Sequence, residues 1–452
     1  MDVHFIAIGG SAMHNLAIAL SRKGYAVTGS DDEIFEPSKG RLEKQGILPE
    51  AIGWDVSYIH EGLDAVVLGM HARVDNPELL RAQELGLRIF SCPEYLYEQA
   101  RDKQRVVIGG SHGKTTITAM ILHVLQFHNI DCDYMVGAQL DGFDCMVKLT
   151  DEAPIALFEG DEYLSSPIDR RPKFHLYQPE IALLSGIAWD HINVFPTYED
   201  YLDQFRIFVE GIPALGTLIY CKEDKGLRNL LDHSEMVSEA VPYEIPAHYI
   251  EEGITYLTGN GTENTRLSIF GKHNLMNLNG ARLVCEKLGV SKDSFLKAIA
   301  SFKGASNRLE LVKRSAGKIM FKDFAHSPSK VGATVTAVRE QFLNHHLAAC
   351  LELHTFSSLN EVFLMEYHGT LLKADEAIVY FNPRTIEHKK LEQITEDQVR
   401  SAFGGGNLKV FTDSRELTSY LHHYDHQKQV FLMMTSGNFD GVDFDSLAEE
   451  VV

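Results

Sequence analysis

The sequence predicts an α/β protein of three domains, in which parallel strands alternate with helices. Short apolar runs of strand length alternate with helix-like stretches along the whole chain. Glycine-rich turns follow the first strand and the strand at 105–108, a position at which α/β proteins bind phosphates. At 452 residues the chain is too long for one hydrophobic core and suggests two to four domains.

Composition excludes several classes of function. The net charge of −21 argues against a nucleic-acid or anionic-membrane surface. The chain has no run of 18 apolar residues, and its N-terminus enters a strand without a signal peptide. Its six cysteines are scattered and form no C-x-x-C pair, which fits reduced thiols. We therefore expect a soluble, cytoplasmic protein without nucleic-acid partners or membrane insertion.

The first domain, predicted to span 1–103, has the outline of a nucleotide-binding Rossmann unit. A strand at 3–8 runs into the turn Gly9-Gly10-Ser11, a helix at 12–23 follows, and a strand at 25–28 leads to Asp31. The full G-x-G-x-x-G fingerprint is absent, so NAD binding and plain α/β architecture both stay open here.

The second predicted domain, 104–306, opens with a shortened phosphate-binding loop. The strict motif has a glycine where this chain has Ile108. Lys114 is placed to reach terminal phosphates, and the Thr115 hydroxyl can bind Mg²⁺. The alternative is a glycine-rich turn that binds nothing. The predicted loop residues are Gly110, Ser111, His112, Gly113, Lys114, Thr115 and Thr116.

Polar residues follow two further apolar strands. Glu159-Gly-Asp-Glu162 comes directly after the strand at 155–158, where a second Mg²⁺ ligand is expected, although a solvated acidic loop is the alternative. The strand at 181–187 runs into Asp190-His191, which could be a ligand or a surface turn. Asn274 and Asn277 precede a helix predicted over 278–288, and they could cap it or bind adenine.

The third domain, predicted over 307–452, again alternates strands and helices after a possible hinge at 302–310. Its first strand, 319–324, is followed by Ala325-His326-Ser327-Pro328 and a helix at 329–342. Further strands are predicted at 347–351, 377–381, 408–411 and 430–434. The histidine-rich stretch 422–426 lacks a supporting metal pattern, so we expect it to be a solvated surface.

Six motifs in this order resemble those of the Mur ligases, and the resemblance covers essentially the whole chain. These enzymes use ATP to form amide bonds in bacterial cell-wall precursors. The matching pieces are Gly110–Thr116, Glu159–Glu162, Asp190-His191, Gly271–Asn274 with Asn277, Arg308–Glu310, and Asp323–His326 with Pro328.

The resemblance implies a role for each matched residue. It implies ATP and Mg²⁺ as cofactors, with Mg²⁺ bound by Thr115, Glu159 and His191. Lys114, His191, Arg308 and His326 would be catalytic. ATP would contact the loop residues together with His273, Asn274, Asn277, Arg308 and Asp323. A UDP-sugar, in place of NAD, would bind Gly9, Gly10, Ser11 and Asp31.

The opening 8–13 and Thr28–Asp31 resemble the branch that accepts UDP-N-acetylmuramate. Within that branch, the stretches 161–163, 169–174 and 177–179 are more similar to members that add L-Ala-γ-D-Glu-meso-diaminopimelate in peptide recycling than to those that add L-alanine. Addition of L-alanine remains the alternative. A non-catalytic nucleotide-binding relative and a dinucleotide-dependent oxidoreductase are further alternatives.

Four residues depart from the family pattern. Phe205 and Arg206 occupy the region where most members carry a lysine that is often carbamylated. Asn307 replaces the first residue of a frequent Arg-Arg pair, and Ser327 the second of a frequent His-His pair. A carbamate is therefore not assumed, and the departures concern substrate contacts and not the reaction class.

Overall fold

The computed structural model describes residues 1–140, 142–189, 194–259, 264–304, 308–404, 408–424 and 426–452. The chain divides into two compact units, one of residues 1–245 and 276–299, the other of residues 246–275 and 300–452. Strands and helices alternate throughout and form parallel-rich sheets, so the predicted α/β class is confirmed. Across the described ranges, no helix combines the length and the apolar character needed to cross a membrane.

The N-terminal segment forms an all-parallel sheet with four strands in the described residues. The strands are β1 (Asp2–Ile6), β2 (Ala26–Ser30), β3 (Ala65–Leu68) and β4 (Ile89–Ser91). The helices between and after them are α1 (Ser11–Arg22), α2 (Ser38–Gln45), α3 (Pro77–Glu84) and α4 (Cys92–Gln99). The order β2-β1-β3-β4 reverses direction at β1. Such a reversal opens a crevice at the carboxyl ends of the strands, where the Gly9-Gly10 turn lies.

The central sheet has β5 at its middle. Its strands are β5 (Gln104–Gly109), β6 (Cys132–Met135), β7 (Val147–Lys148), β8 (Ile155–Glu159), β9 (Ile181–Leu184), β10 (Thr217–Cys221) and β11 (Glu239–Tyr243). Their order is β11-β10-β9-β5-β8-β6-β7, and β7 alone among these seven runs antiparallel to its neighbour. The ends of β8 and β9 therefore flank the loop that follows β5.

Helices of this region include one that both units share. They are α5 (Lys114–Phe127), α6 (Lys173–Leu176), α7 (Tyr198–Glu210), α8 (Lys225–Asp232), α9 (Lys272–Lys287) and α10 (Lys292–Ile299). The predicted helix start at Leu278 is wrong, because α9 begins six residues earlier, directly after Gly271 at φ +89°. The buried Leu275 extends the apolar face of Leu278 by one turn toward the N-terminus.

The described residues of the second unit form two sheets. The strands β12 (His248–Glu251), β13 (Ile254–Leu257) and β14 (Thr265–Leu267) form a small antiparallel sheet that the sequence did not predict. The larger sheet has the order β15-β16-β20-β17-β18-β19 and is parallel except at β15. Its strands are β15 (Glu310–Arg314), β16 (Lys318–Asp323), β17 (His346–Leu353), β18 (Glu376–Phe381), β19 (Lys409–Phe411) and β20 (Gln429–Met434).

Both faces of this larger sheet are buried. Ile319 and Phe321 belong to one apolar cluster, while Met320 between them belongs to another. Alternation along a strand sends successive side chains to opposite faces, so each face has its own core. The helices of this unit are α11 (Pro328–Gln341), α12 (Glu361–Leu364), α13 (Pro383–His388), α14 (Glu396–Ala402), α15 (Ser414–His422) and α16 (Phe444–Val451).

Candidate active site

The predicted phosphate loop joins β5 to α5 and depends on two glycines. Gly110 has φ +109° and Gly113 has φ +81°, a left-handed region that favours glycine. A Cβ on Gly110 would lie 2.5 Å from the Ser185 hydroxyl oxygen, and one on Gly113 would collide with the Asn277 side chain. The loop therefore leaves no room for side chains at these positions. Since α5 begins at Lys114, the free N–H groups of its first turn lie at the loop.

The end of β9 supports the loop from the other side. The Ser111 N–H and hydroxyl both donate to the carbonyl of Gly186, at 3.1 and 3.2 Å. The Ser185 hydroxyl donates to the carbonyl of His112. The loop backbone is thus held in place before any ligand binds, which lowers the ordering cost of binding an anion.

Lys114 forms an ion pair with Glu162. Its Nζ lies 2.8 Å from Glu162 Oε2, and the Tyr201 hydroxyl donates to Glu162 Oε1 at 3.1 Å. Burial lowers the pKa of Lys114, but the carboxylates of Glu162 and Asp161 outweigh burial and raise the pKa overall. The lysine therefore stays protonated, as a phosphate ligand must.

The side-chain oxygen atoms of Thr115, in the first turn of α5, and Glu159, at the end of β8, lie next to each other. The Thr115 hydroxyl donates to Glu159 Oε1 at 2.9 Å, and the N–H of Gly137 donates to Oε2 at 3.0 Å. Burial raises the pKa of Glu159 above its usual range. A hydroxyl and a buried carboxylate are hard oxygen ligands, which Mg²⁺ completes with phosphate oxygens and water. The pair therefore fits the magnesium ion that the sequence predicts.

Asp161, between the two glutamates, is bonded elsewhere. Lys173 Nζ lies 2.7 Å from Asp161 Oδ2. Burial raises the pKa of Asp161, but Lys173 and Lys114 outweigh burial and lower it overall. Asp161 is therefore ionised and holds the start of α6 close to the end of β8.

The first predicted nucleotide turn has a different arrangement. The N–H of Gly9 donates to Asp31 Oδ2 at 2.7 Å, so the acid at the end of β2 closes on the turn after β1. Burial raises the pKa of Asp31, with the N–H of Gly9 acting in the opposite direction. Gly10 precedes α1, and the exposed Ser11 is its first residue. The four residues predicted to bind a UDP-sugar therefore lie together.

In the second unit, Asp323 organises the carboxyl end of β16. Its oxygens accept the N–H groups of Leu309 and Ala325, both at 2.7 Å. Burial raises its pKa, while these bonds and the Arg308 charge act in the opposite direction. The Arg308 guanidinium lies 4.9 Å from the centre of the Phe324 ring. Asp323 thus brings Arg308 close to the segment that contains His326.

The remaining predicted ATP contacts lie at the start of α9. Burial, followed by the charge of Arg308, lowers the pKa of His273 to about 4. The Asn274 amide donates to the carbonyl of Phe270 at 3.0 Å. Asn277, one turn later, lies against Gly113 of the phosphate loop. His273 is therefore neutral near pH 7, able to donate one hydrogen bond and accept another.

Two predicted features fall outside the described residues. Asp190 and His191, predicted as a motif with a magnesium ligand, lie in the gap at 190–193, and Asn307 lies in the gap at 305–307. In the described ranges, no group of three or more His, Cys, Asp or Glu side chains is arranged to hold a metal ion. The Mg²⁺ site argued above instead uses a threonine hydroxyl and one carboxylate.

The region where most family members carry a lysine is a packed aromatic cluster here. Phe205 is fully buried, with its ring centre 5.3 Å from that of Phe174 and 5.1 Å from that of Tyr201. Arg206 points away and pairs with Asp203. A carbamylated lysine therefore has no counterpart at these two positions.

Sequence reasoning missed the carboxylate that holds Lys114 in place, Glu162, and the hydroxyl of Tyr201 that donates to this carboxylate. Glu162 had a signal, since it ends the acidic run directly after β8, but it was not assigned a partner. Tyr201 had no signal in the sequence, because a tyrosine on the apolar face of an amphipathic helix has the same pattern as an ordinary core residue. Its bond to Glu162 depends on the packing of α7 beside the loop.

Comparisons with known proteins identify the family of the chain. A model described as the Mur ligase family catalytic domain matches residues 2–104, and the Mur ligase middle domain matches residues 108–285. A UDP-N-acetylmuramate–L-alanyl-γ-D-glutamyl-meso-2,6-diaminoheptandioate ligase of Haemophilus influenzae is 27% identical and covers 97% of each chain. A UDP-N-acetylmuramate–L-alanine ligase of Renibacterium salmoninarum is 31% identical, over 83% of this chain and 81% of that one.

A solved structure of a Mur ligase has the same fold as this chain. The UDP-N-acetylmuramate–alanine ligase of Thermotoga maritima matches with a TM-score of 0.71 at 20% identity, over 100% of this chain and 98% of that chain. The motif order, the two family models and the relative at 31% identity lead to one conclusion. The chain belongs to the Mur ligase family, whose members are ATP-dependent ligases that form amide bonds.

Proposed function

We propose that this enzyme joins the lactyl carboxylate of UDP-N-acetylmuramate to the amine of L-Ala-γ-D-Glu-meso-diaminopimelate, with cleavage of ATP to ADP and phosphate. The observation that carries the proposal is the loop in which Lys114 and Thr115 face Glu162 and Glu159. The relative named for the tripeptide aligns over 97% of both chains, and this supports the choice of acceptor.

The reaction follows from the poor electrophilicity of a carboxylate. Transfer of the γ-phosphoryl group of ATP to the lactyl carboxylate gives an acyl phosphate, which the incoming amine attacks, and phosphate then leaves. Lys114 and the N–H groups at the start of α5 would hold the phosphate oxygens and stabilise their charge during transfer. Mg²⁺, held by Thr115 and Glu159, would neutralise further charge on the phosphates.

Glu162 has a positioning role in this scheme. It is 1% exposed in its side chain and bonded to both Lys114 and Tyr201, so it fixes the lysine rotamer. A lysine whose rotamer is already fixed loses little further conformational entropy when the nucleotide binds. Asp31 and the Gly9-Gly10 turn would hold the UDP moiety in the crevice beside β1.

The acceptor requires groups that bind carboxylates and a distal ammonium. A cleft of about 910 Å³ lies at the carboxyl ends of β18 and β19, lined by residues that include Arg384, Arg415, Asp413 and Asp440. Arg415 is paired with Asp413 at 2.8 Å. A lining with both signs of charge suits meso-diaminopimelate, which ends in an ammonium and a carboxylate. Two further cations, Arg171 and Lys173, lie next to and at the start of α6, where each is paired with a carboxylate, Asp169 or Asp161.

An ADP-release assay tests the proposal. The enzyme, ATP, Mg²⁺ and UDP-N-acetylmuramate are incubated with L-Ala, Gly, L-Ser or the tripeptide. We expect the tripeptide to give the highest kcat/KM, because binding energy from its remote carboxylates is available in the transition state. Higher kcat/KM with L-Ala would make the chain an alanine-adding ligase, the second candidate, which the relative at 31% identity favours.

The variant Arg384→Ala, measured in the same assay, tests whether Arg384 binds the tripeptide. We expect it to lower kcat/KM for the tripeptide about tenfold and to leave any activity with L-Ala unchanged, since one charged hydrogen bond is lost. The exposed Lys409→Ala, on a neighbouring strand, is the matched control. An equal loss with both acceptors would remove Arg384 from the acceptor site.

A further inference from the structure

A buried polar cluster lies on one face of the N-terminal sheet. Alternation along β1 and β2, with His4 opposite Thr28 and Ile6 opposite Ser30, places His4, Thr28 and Ser30 on this face. Glu78 of α3 covers them. His4 and Glu78 are 0% exposed and Ser30 is 2% exposed, so these three side chains have no access to solvent, whereas Thr28 at the edge of the cluster is exposed.

Glu78 is the acceptor at the centre of the cluster. Its Oε1 accepts the N–H of Asp55 at 2.7 Å, and its Oε2 accepts the hydroxyl of Ser30. His4 Nε2 lies 3.3 Å from Oε2, and His4 Nδ1 lies 2.8 Å from the Thr28 hydroxyl. A buried carboxylate is costly unless its oxygens are bonded, and these contacts satisfy both of them.

The combination of serine, histidine and glutamate is not a hydrolytic site. A nucleophile must reach its substrate, and Ser30 is buried with its hydroxyl bonded to the carboxylate instead of the imidazole at short distance. The role of the cluster is therefore structural: it holds the segments to which it is bonded.

The segments bonded to Glu78 are those that shape the Gly9-Gly10 turn. The carbonyl of Ser30 accepts the N–H groups of Ala7 and Ile8, at 2.9 and 3.1 Å. Asp31, the next residue, accepts the N–H of Gly9 through its carboxylate and the N–H of Gly53 through its carbonyl. Glu78 thus holds the end of β2 through Ser30 and the segment 53–55 through Asp55.

We infer that Glu78 is a positioning residue for the UDP-sugar, acting through Ser30 and the Asp55 backbone without touching the ligand. This inference rests on the proposed function, which assigns the UDP-sugar to the Gly9-Gly10 turn. Loss of the carboxylate would let the end of β2 and segment 53–55 adopt other arrangements. The apparent affinity is then proportional to the fraction of molecules that keep the binding arrangement. If this fraction falls to one tenth, KM for the UDP-sugar rises about tenfold.

The test compares Glu78→Ala and Glu78→Gln in the full chain. Kd for UDP-N-acetylmuramate is measured by calorimetry without ATP, and KM for both substrates by ADP release. We expect Glu78→Ala to raise Kd and KM for the UDP-sugar about tenfold, with KM for ATP and kcat within twofold of wild type. Glu78→Gln should restore KM to within twofold, because an amide can accept from Asp55 and donate to the Ser30 hydroxyl.

Asp133→Ala is the matched control. Asp133 is also 0% exposed and bonded to several groups, Lys103 at 2.6 Å and Thr150 among them, but it lies on β6. We expect it to lower stability without raising KM for the UDP-sugar. Should Glu78→Ala fail to fold, Ser30→Ala takes its place, with an expected rise in KM of about threefold.

The outcomes separate the inference from the proposed function. A folded Glu78→Ala, or in its absence Ser30→Ala, with wild-type Kd for the UDP-sugar overturns the inference while the function stands. Equal increases in KM for ATP and the UDP-sugar overturn it as well, because they indicate general loosening. Wild-type protein that does not bind UDP-N-acetylmuramate overturns the proposed function, and the inference with it.

Discussion

Two turns of similar construction follow the first strands of the N-terminal and central sheets, and they differ in the charges beside them. At the first, between β1 and α1, the carboxylate of Asp31 accepts the N–H of Gly9. At the second, between β5 and α5, Lys114 begins the helix, and Glu162 and Glu159 contact the side chains of Lys114 and Thr115. One turn is closed by an acid, whereas the other presents a cation and a hydroxyl.

The difference shows what a helix N-terminus contributes by itself. Its N–H groups and dipole attract an anion at either turn. Phosphoryl transfer requires more, because charge develops on the transferred group and must be neutralised. We therefore expect the first turn to bind and orient a ligand, and the second to take part in the chemical step. Four predictions test this comparison.

The largest effect is expected from Lys114→Ala. Loss of the lysine removes charge stabilisation at the transferring phosphoryl group, and we expect kcat to fall at least about 10³-fold. It also leaves Glu162 buried without its cation, which lowers stability. The double change Lys114→Ala with Glu162→Gln should recover the melting temperature but not activity. ADP release near the wild-type rate from either variant would contradict a role for this loop.

Glu159→Gln should have the next largest effect. The amide is a weaker Mg²⁺ ligand, so we expect kcat to fall about 10²-fold and the Mg²⁺ concentration for half-maximal activity to rise. Thr115→Val should act in the same direction, and Thr115→Ser, which keeps the hydroxyl, should retain most activity. A titration of ADP release against Mg²⁺ measures the effect. An unchanged Mg²⁺ requirement in Glu159→Gln would remove this residue from the metal site.

Asp31→Ala and Asn277→Ala should affect different substrates. Asp31 closes the first turn, so its loss should raise KM for the UDP-sugar about tenfold and leave KM for ATP within twofold. Asn277 lies against Gly113, so Asn277→Ala should do the reverse. Steady-state kinetics with each substrate varied in turn gives both constants. If both variants raise KM for ATP alone, the first turn has been assigned wrongly.

The smallest effect concerns stability and pH. Burial raises the pKa of Glu159, so the folded chain binds its proton more tightly than the unfolded chain does. Stability therefore falls as the pH rises from the usual glutamate range through the raised pKa. Without Mg²⁺ and nucleotide, Glu159→Gln should melt a few degrees above wild type at pH 7.5, and the difference should shrink toward pH 5.

The exposed Glu152→Gln serves as control for this last prediction, with no expected change in melting temperature. A Glu159→Gln variant that melts at or below the wild-type temperature at pH 7.5 would show that the Gly137 and Thr115 bonds fully compensate for burial.

Most strand–turn–helix units were predictable from the sequence. The strand predicted at 155–158 is Ile155–Glu159, and the helix predicted at 329–342 is Pro328–Gln341. Buried parallel strands are continuous apolar runs, and glycine or proline marks where they end, so the signal is local. The antiparallel sheet of β12, β13 and β14 lacked such a signal, because its strands are only three or four residues long and mix polar with apolar side chains.

The sequence by itself was enough to propose a phosphate loop, because Gly113, Lys114 and Thr115 are contiguous and their spacing is typical of such loops. It also placed Glu159 at the end of a strand. Only the tertiary structure decided that Glu162 pairs with Lys114 while Asp161 pairs with Lys173. These choices depend on which strands become neighbours of β5. The order of the strands in the sheet is set by burial of the whole core. It cannot be deduced from the residue pattern along any single strand.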